Sequence, residues 1–414
     1  MANQELINSL VAAESLRILS NELVFTNKIN RAYEDKYDLF VEDHKIGTTI
    51  NIPLPMRSGI RNGWTMQTQN VVETSIPLTI NTPKGDDIAF PESDVALLVP
   101  DPERNMAAWA KRFLKPRITR LANAVDVDLF SRAVVAVANQ VGTAGTVPQT
   151  FAVLGDAMQK LDEQLAPQDD RILIMNPAMR NKMADALKGT FVKDVSEKAL
   201  LKGFIPTLTD FDIFMSQNVP VQTVGTATGT PLVNGASQIG SSLVTNGWSN
   251  STAILNQGDI FTIAGVFTVN YVTGTATSTL AQFVVTAPVT SDGSGNATIP
   301  FSTGQGGYGG IITSGPTQSV SASPASGAAI TVTGSAATSY AQNLVFHKDA
   351  FTVAFAKMSL PKDQGVKAAQ ASYDGFSMRY MRGYDIVNAQ QLDRLDVYYG
   401  FSGLYTQHAA RITA

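Results

Sequence analysis

Residues 116–141, PRITRLANAVDVDLFSRAVVAVANQV, carry the longest uninterrupted helical period in the chain, and such a rod dictates what must surround it. At about 1.5 Å per residue it runs roughly 40 Å. Pro116 suits a first helical turn, where its missing N–H costs nothing, and Gly142 can take the left-handed geometry that closes a helix. Ile118, Leu121, Ala122, Val125, Leu129, Ala133 and Ala136 form one stripe, and Val127, Phe130, Val134, Val137 and Val141 form another on the opposite side. Arg117, Arg120, Ala124 and Asp128 leave only a narrow polar strip. A rod apolar on two sides needs two covers: one from a core, the other from a further element or a further subunit. A buried helix of a large monomer meets the same demand.

The chain before the rod changes period twice. Residues 2–24 read as an amphipathic helix, with Ile7, Leu10, Val11 and Ile18 near one face and no obvious partner nearby. From 48 to 80 the period becomes two. Ile50, Ile52 and Leu54 alternate with Thr49, Asn51 and Pro53, and Val72, Ile76, Leu78 and Ile80 alternate with Glu73, Pro77 and Thr79. This predicts two strands of a long hairpin, with prolines 53, 55 and 77 confined to edges. Between the strands, Gly59 and Asn62-Gly63 are turn signals, and Trp64 is costly to leave in water. Two strands alone are marginal, so the hairpin needs a neighbour that this chain does not evidently supply. Residues 88–99 bring the chain back, and a short helix precedes Pro116.

After the rod, residues 151–165 predict a helix, 171–176 a buried strand, 177–187 a helix started by Asn176 and Pro177, and 211–216 a strand. Composition then shifts. Between 216 and 342 the only charged residues are Asp259 and Asp292. Six short β-rich runs (SSLVTN, GDIFTIAGVFTVN, LAQFVVTA, NATIPFS, GGIITS and AAITVTG) give the spacing of a small barrel or sandwich. From 343 the earlier character returns as strands rich in aromatics, so the β segment reads as a domain inserted into a split α+β domain.

Of 414 residues only 16% are charged, and the absence of cysteine excludes disulfides, thiolate zinc sites and cysteine nucleophiles. A net charge of -4 supplies no basic field for sequence-specific nucleic-acid binding, and no apolar run approaches a membrane span. The start, MANQELINSL, lacks the pattern of a secretory signal. Catalytic constellations are also missing. His44 with Glu42 and Asp43 point to different sides, and Asp126 and Asp128 face apart on a helix and read as salt-bridge partners. His347 and His408 read as structural histidines. GQGGYGG (304–310) lacks the Lys-Ser/Thr ending of a phosphate loop, and Ser294 is followed by no helix that would make it a nucleophile elbow.

The order of arm, hairpin, rod, α+β block, β insert and closing sheet resembles the major capsid proteins of tailed bacteriophages, in the Lederbergvirus-like short-tailed variety with the HK97 fold. The residues that carry the resemblance are INIPLPMRSGIRNGW in the hairpin, LKPRITRLANAVDVDL in the rod, GDIFTIAGVFTVN in the insert and LDVYYGFSGLYTQHAARI near the end. The resemblance implies an α+β capsid fold with an N-terminal arm (1–35), an extended loop (36–100), a spine helix and peripheral domain (101–202), an axial domain with the closing sheet (203–216 and 343–414) and a small inserted β-barrel (217–342). It implies a non-enzymatic structural protein of the virion, assembled in the host cytoplasm as pentamers and hexamers that close an icosahedral shell around double-stranded DNA. The implied partners are other copies of the chain, a scaffolding protein, a portal protein, DNA held without specificity and in some cases a decoration protein, with no cofactor, metal or membrane. Arg57, Arg61, Trp64, Ile76, Leu78, Arg117 and Arg120 are the candidate contacts between subunits. The competing readings are a tail or appendage protein with a glycan-binding β domain, a bacterial nanocompartment shell and a hydrolase using unrecognised carboxylates.

Overall fold

The computed structural model describes residues 2–33, 40–41, 44–45, 48–58, 63–66, 68, 73–97, 106–186, 207–208, 211–271, 273–361, 367–373 and 376–414. The expected strand residue Val72 and the segment 187–206 lie outside them. Two compact units divide the chain: 1–52, 77–129 and 352–402 make the first, and 53–76, 130–351 and 403–414 the second.

The first unit is built on a sheet in which Lys367–Tyr373, Phe376–Asp385, Gln390–Gly403, Ser75–Pro91 and Thr49–Pro53 lie side by side in that order, with Phe351–Phe355 also joined to Gln390–Gly403. The period of two is the observed burial pattern: Ile50, Ile52, Leu78 and Ile80 are buried, while Thr49 and Asn51 face water. The second hairpin strand is far longer than its alternation suggested. It runs through Pro77, Pro83 and Gly85 to Pro91 because residues 390–400 pair with it antiparallel from Ile80 onward. A neighbour for the hairpin therefore exists within the chain, some three hundred residues downstream.

The helix Ala2–Glu22 also finds its partner late, packing on the hairpin Lys367–Tyr373 and Phe376–Asp385. Its buried side includes Val11, Ala12, Leu16, Ile18 and Leu19, whereas Leu10, expected on that face, is exposed. Beyond the helix, the backbone N–H groups of Phe25 and Thr26 and the Thr26 hydroxyl all donate to Asp126 Oδ1, at 3.0, 3.1 and 3.0 Å. Asp126 is thus a buried receptor for the returning N-terminal segment. Asp128 accepts from the Tyr399 hydroxyl at 2.8 Å and lies 3.8 Å from Lys84 Nζ.

The rod itself is the helix Lys115–Ala136. Pro116 does not begin it: Met106–Trp109 and a π turn, Ala110–Leu114, lead in without a break, and the Lys115 N–H bonds back five residues to the Ala110 carbonyl. A widened turn is where a helix absorbs a residue that cannot donate. The other end stops at Ala136, six residues before Gly142, which takes φ +85° after the short strand Gln140–Val141. Both apolar stripes are covered by the chain's own residues. Of the stripe residues in the helix, only Val127 is exposed, so the second cover does not call for another subunit.

In the second unit, Gln140–Val141, Ala409–Thr413, Ser339–His347, Arg171–Met175, Phe211–Met215 and Thr207–Leu208 form one sheet, with Val221–Thr223 added along Ser339–His347. The helices Phe151–Glu163 and Pro177–Ala186 bury Leu154, Leu161, Met179 and Met183 against it, and Asn176 Oδ1 caps the second helix at the Met179 N–H, 2.8 Å away. Residues on either side of the charge-poor segment thus share one sheet.

Within that segment six strands run in the order Gly229–Val233, Ser242–Trp248, Ala297–Ser302, Ala276–Val285, Ile260–Val269 and Ile330–Val332. A bridge between Leu232 and Ala329 joins the two ends, closing a barrel and removing its edges. Phe261, Phe283 and Phe301 fill it, with ring centroids 5.2 to 6.0 Å apart. GGIITS is not one of the strands: Ile311 makes a single bridge to Gly240, and Gly229–Val233 takes the place. Asp292 accepts from the N–H groups of Ser294 and Asn296, both at 2.8 Å, which makes DGSGN a tight turn.

The two late histidines are structural in placement. His347 Nδ1 accepts from the Asp349 N–H at 3.2 Å, and the His408 ring stacks on Tyr405, 5.4 Å between centroids. Burial, reinforced by His347 and Arg57, pushes the His408 imidazole down to about 4. An unfolded histidine titrates near 6.5, so between about pH 6.5 and 4 the unfolded chain takes up a proton that the folded one refuses. Stability supplied by neutral His408 is therefore present above pH 6.5 and lost as pH falls to about 4, by at most about 3 kcal/mol. Thermal melting of the purified subunit at pH 7 and pH 4.5 checks this: His408→Gln is expected to lose less on acidification than the wild type, and equal losses would remove His408 from the account.

Candidate assembly surfaces

A chain that associates with copies of itself needs apolar or hydrogen-bonding surface that it does not cover internally. The seven sequence candidates divide on that criterion. Trp64 is 100% exposed, directly after Gly63 at φ +97°, and Met56 and Met66 near it in sequence are exposed as well. Arg120 is exposed on the spine helix. Arg61 lies outside the described residues.

The remaining four are used inside the subunit. Ile76 and Leu78 are buried on the inward face of their strand, because the period of two that marked them as apolar also turns them to the chain's own core. Arg117 donates from Nε to Asp86 Oδ2 at 2.6 Å and from Nη2 to the carbonyls of Asp86 and Asp393 at 2.9 and 3.2 Å, fastening the helix to two strands of the first sheet. Arg57 donates to Gln305 Oε1 at 3.1 Å, and its guanidinium lies 5.2 Å from the ring centroids of both Tyr271 and Tyr308. In the single chain these four make contacts within the subunit.

A second exposed apolar feature escaped sequence reading. The turn joining Phe376–Asp385 to Gln390–Gly403 displays Ile386 at 85% and Val387 at 90% exposure, with Tyr384 beside them. It is a stiff display. Asp385 Oδ1 accepts from the Val387 N–H at 2.9 Å, and Oδ2 accepts from Asn388 Nδ2 at 2.7 Å. The Asn388 amide and the Val387 N–H hold the Asp385 carboxyl below the usual carboxylate range. The available signal was DIVN, an Asx turn whose central residues are apolar and β-branched.

Among the described residues no three His, Cys, Asp or Glu side chains stand close enough to share a metal ion, and no helix is long and apolar enough to cross a membrane. Comparison with known families matches residues 1–409 to the P22 coat protein, gene protein 5. No curated protein matches. Solved structures with a similar course include one from Mycobacterium phage Che8 (13% identity, 94% of this chain and 90% of that one, TM-score 0.46). Another is the asymmetric unit of the bacteriophage PhiM1 mature capsid (10% identity, 88% and 82%, TM-score 0.42). A third is a virus-like particle from Pyrococcus furiosus (7% identity, 97% of both chains, TM-score 0.37).

Proposed function

The chain belongs to the P22 coat protein family, and from that premise we propose how its copies meet. It is a phage major capsid protein, a structural component of the virion whose copies form the shell. The family match does not favour the tail or appendage reading with a glycan-binding barrel. Pentamers and hexamers are the units we propose, with residues 53–76 of one copy lying on the next and Trp64 seated between them. Full exposure of Trp64 carries this reading: an indole left in water between two strands whose apolar faces are buried is surface kept for a partner. Arg120 and Arg61 are proposed for the same contacts, and the Ile386–Val387 turn for a second one.

The same reading divides the chain into an arm (1–35), an extended loop (36–100), a spine and peripheral domain (101–202), an axial domain (203–216 and 343–414) and an inserted barrel domain (217–342). It also assigns a scaffolding protein, a portal protein and a decoration protein as partners. Packaged double-stranded DNA would touch the shell only without specificity, in keeping with a net charge of -4. Co-expression with the scaffolding protein of the same phage, followed by negative-stain microscopy, tests the assembly. Closed megadalton particles are expected, and a subunit that stays solitary and compact beside its scaffold would reject the reading.

A further inference from the structure

We propose that the glycine loop 303–310 is a lock that sets the direction in which the hairpin sets out from its base at Leu54 and Thr74, and thereby the geometry in which copies of the chain meet. The second half of this statement rests on the shell reading above; the first does not.

The loop follows the barrel strand Ala297–Ser302 and is folded back on itself, with the Thr303 N–H donating to the Gly309 carbonyl at 2.9 Å and the Tyr308 N–H to the Gln305 carbonyl at 3.0 Å. The base of the hairpin lies against it. There Leu54 and Ile76 are buried, and the Leu54 N–H donates to the Thr74 carbonyl at 2.8 Å, so the two rails are still paired. A Cβ on Gly307, which has φ +73°, would stand 2.6 Å from Thr74 Cγ2 and 2.9 Å from Leu54 Cδ1. A Cβ on Gly306 would stand 3.0 Å from Ile76 Cδ1 and collide with the Leu404 carbonyl. The glycines are therefore required by close approach, with bare backbone laid flat on both rails.

Arg57 closes the arrangement from the hairpin side. Three residues past Leu54, it donates to Gln305 and spans the rings of Tyr271 and Tyr308. Tyr271 is itself fixed, its hydroxyl donating to Gln164 Oε1, and burial pushes that hydroxyl up to about 12. On the far side the loop is tied to the C-terminal segment: the Gly306 N–H donates to Gln407 Oε1 at 3.2 Å, and the Thr406 hydroxyl donates to the Gly304 carbonyl at 2.5 Å. The hairpin base, a barrel loop and the chain's end thus grip one another through groups that leave little room for tilt. Leverage makes this matter. Ten residues of chain reach at most about 35 Å, so a tilt of about 10° at Leu54 could displace Trp64 by up to about 6 Å, more than an interface pocket tolerates.

The absence of cysteine permits a direct measurement on the unassembled subunit. Spin labels on Thr68→Cys and Ser326→Cys, both exposed positions, report the hairpin-to-barrel distance by double electron–electron resonance. One narrow distribution is expected for the otherwise wild-type chain, and a distribution at least twice as broad for Arg57→Gln and for Gly307→Ala. Arg57→Gln, which keeps a donor but loses the ring contacts, is also expected to melt within about 2 °C of wild type and to give particles of scattered diameter. Equal distance distributions in wild type and Arg57→Gln would overturn the lock, whether or not any particle forms. A broadened distribution with particles of wild-type diameter and assembly rate would overturn its role in assembly. Failure of the wild type to form particles would count against the shell reading and leave the distance measurement standing.

Discussion

Trp64→Ala raises the subunit concentration needed for shells to appear by about 30-fold to 1000-fold, while the melting curve of the unassembled subunit stays within about 1 °C of wild type. The separation of the two effects follows from exposure. A side chain 100% accessible in the single chain has no packing to lose there, so its truncation removes nothing that folding had gained. Seated in a neighbour it would bury about 150–250 Å², and buried aromatic anchors of this kind cost about 2–4 kcal/mol on truncation, each 1.4 kcal/mol being a factor of ten. Trp64→Phe keeps most of the apolar area and is expected to fall between. Sedimentation of shells across a concentration series, with a melt on the same preparation, checks both halves. An unchanged threshold, or a fall in melting temperature that tracks it, would remove Trp64 from the interface.

What could be read beforehand depended on whether the deciding contact was local. The alternation at Ile50, Ile52, Leu78 and Ile80 was legible because one face of a sheet is buried and the other is not, which stamps a period of two on the chain. The length of Ser75–Pro91 was not, since its pairing partner is Gln390–Gly403 and two prolines interrupt the local signal. The spine's apolar stripes were visible as well. Its ends were misread because Pro116 fits both a first turn and a π-widened turn, and because the apolar residues after Ala136 keep a helical period while the chain leaves the helix for the short strand Gln140–Val141.

The site shows the same division. Trp64 is exposed beside a turn signal, whereas Arg57, read as a candidate contact between subunits, meets Tyr271 and Tyr308 within its own chain. GQGGYGG read as a loop without the ending of a phosphate site. Its use was hidden, because what matters at Gly306 and Gly307 is the missing Cβ, and the atoms that would strike it belong to residues 54, 74, 76 and 404. Asp259 did leave a trace: it is one of two carboxylates in a stretch otherwise free of charge, where a buried charge is kept only for a structural reason.

That reason, with the two carbonyls Arg411 satisfies, makes Arg411→Met the most destabilising substitution we expect, at about 3–5 kcal/mol in urea unfolding of the subunit. Arg411 is buried in the strand Ala409–Thr413. It donates from Nε and Nη2 to the Val137 carbonyl just past the spine helix, at 2.9 and 2.5 Å, and from Nη1 to the Gly258 carbonyl at 2.8 Å. Burial drags the guanidinium down to about 9, partly offset by Asp259, so it stays protonated at neutral pH. Asp259 is raised by its own burial, an effect opposed by the Gly225 and Asn256 N–H groups at 2.9 and 2.8 Å, by Gln222 and by the Arg411 charge. Methionine fills much of the volume, yet it strands two buried carbonyls and removes the positive charge that favours the ionised form of Asp259 from beyond ion-pair distance. Lysine keeps the charge but cannot fork between Val137 and Gly258, so Arg411→Lys should lose about half as much. The carboxylate's share is separable, because Asp259→Asn removes the charge that Arg411→Met would orphan. The double variant should therefore lose about 1–3 kcal/mol less than the sum of the single losses. Strict additivity would mean that Arg411 acts through the two carbonyls alone, and an Arg411→Met subunit within about 0.5 kcal/mol of wild type, well below the cost of leaving two buried carbonyls unsatisfied, would show that the C-terminal strand is held by its ladder without the guanidinium.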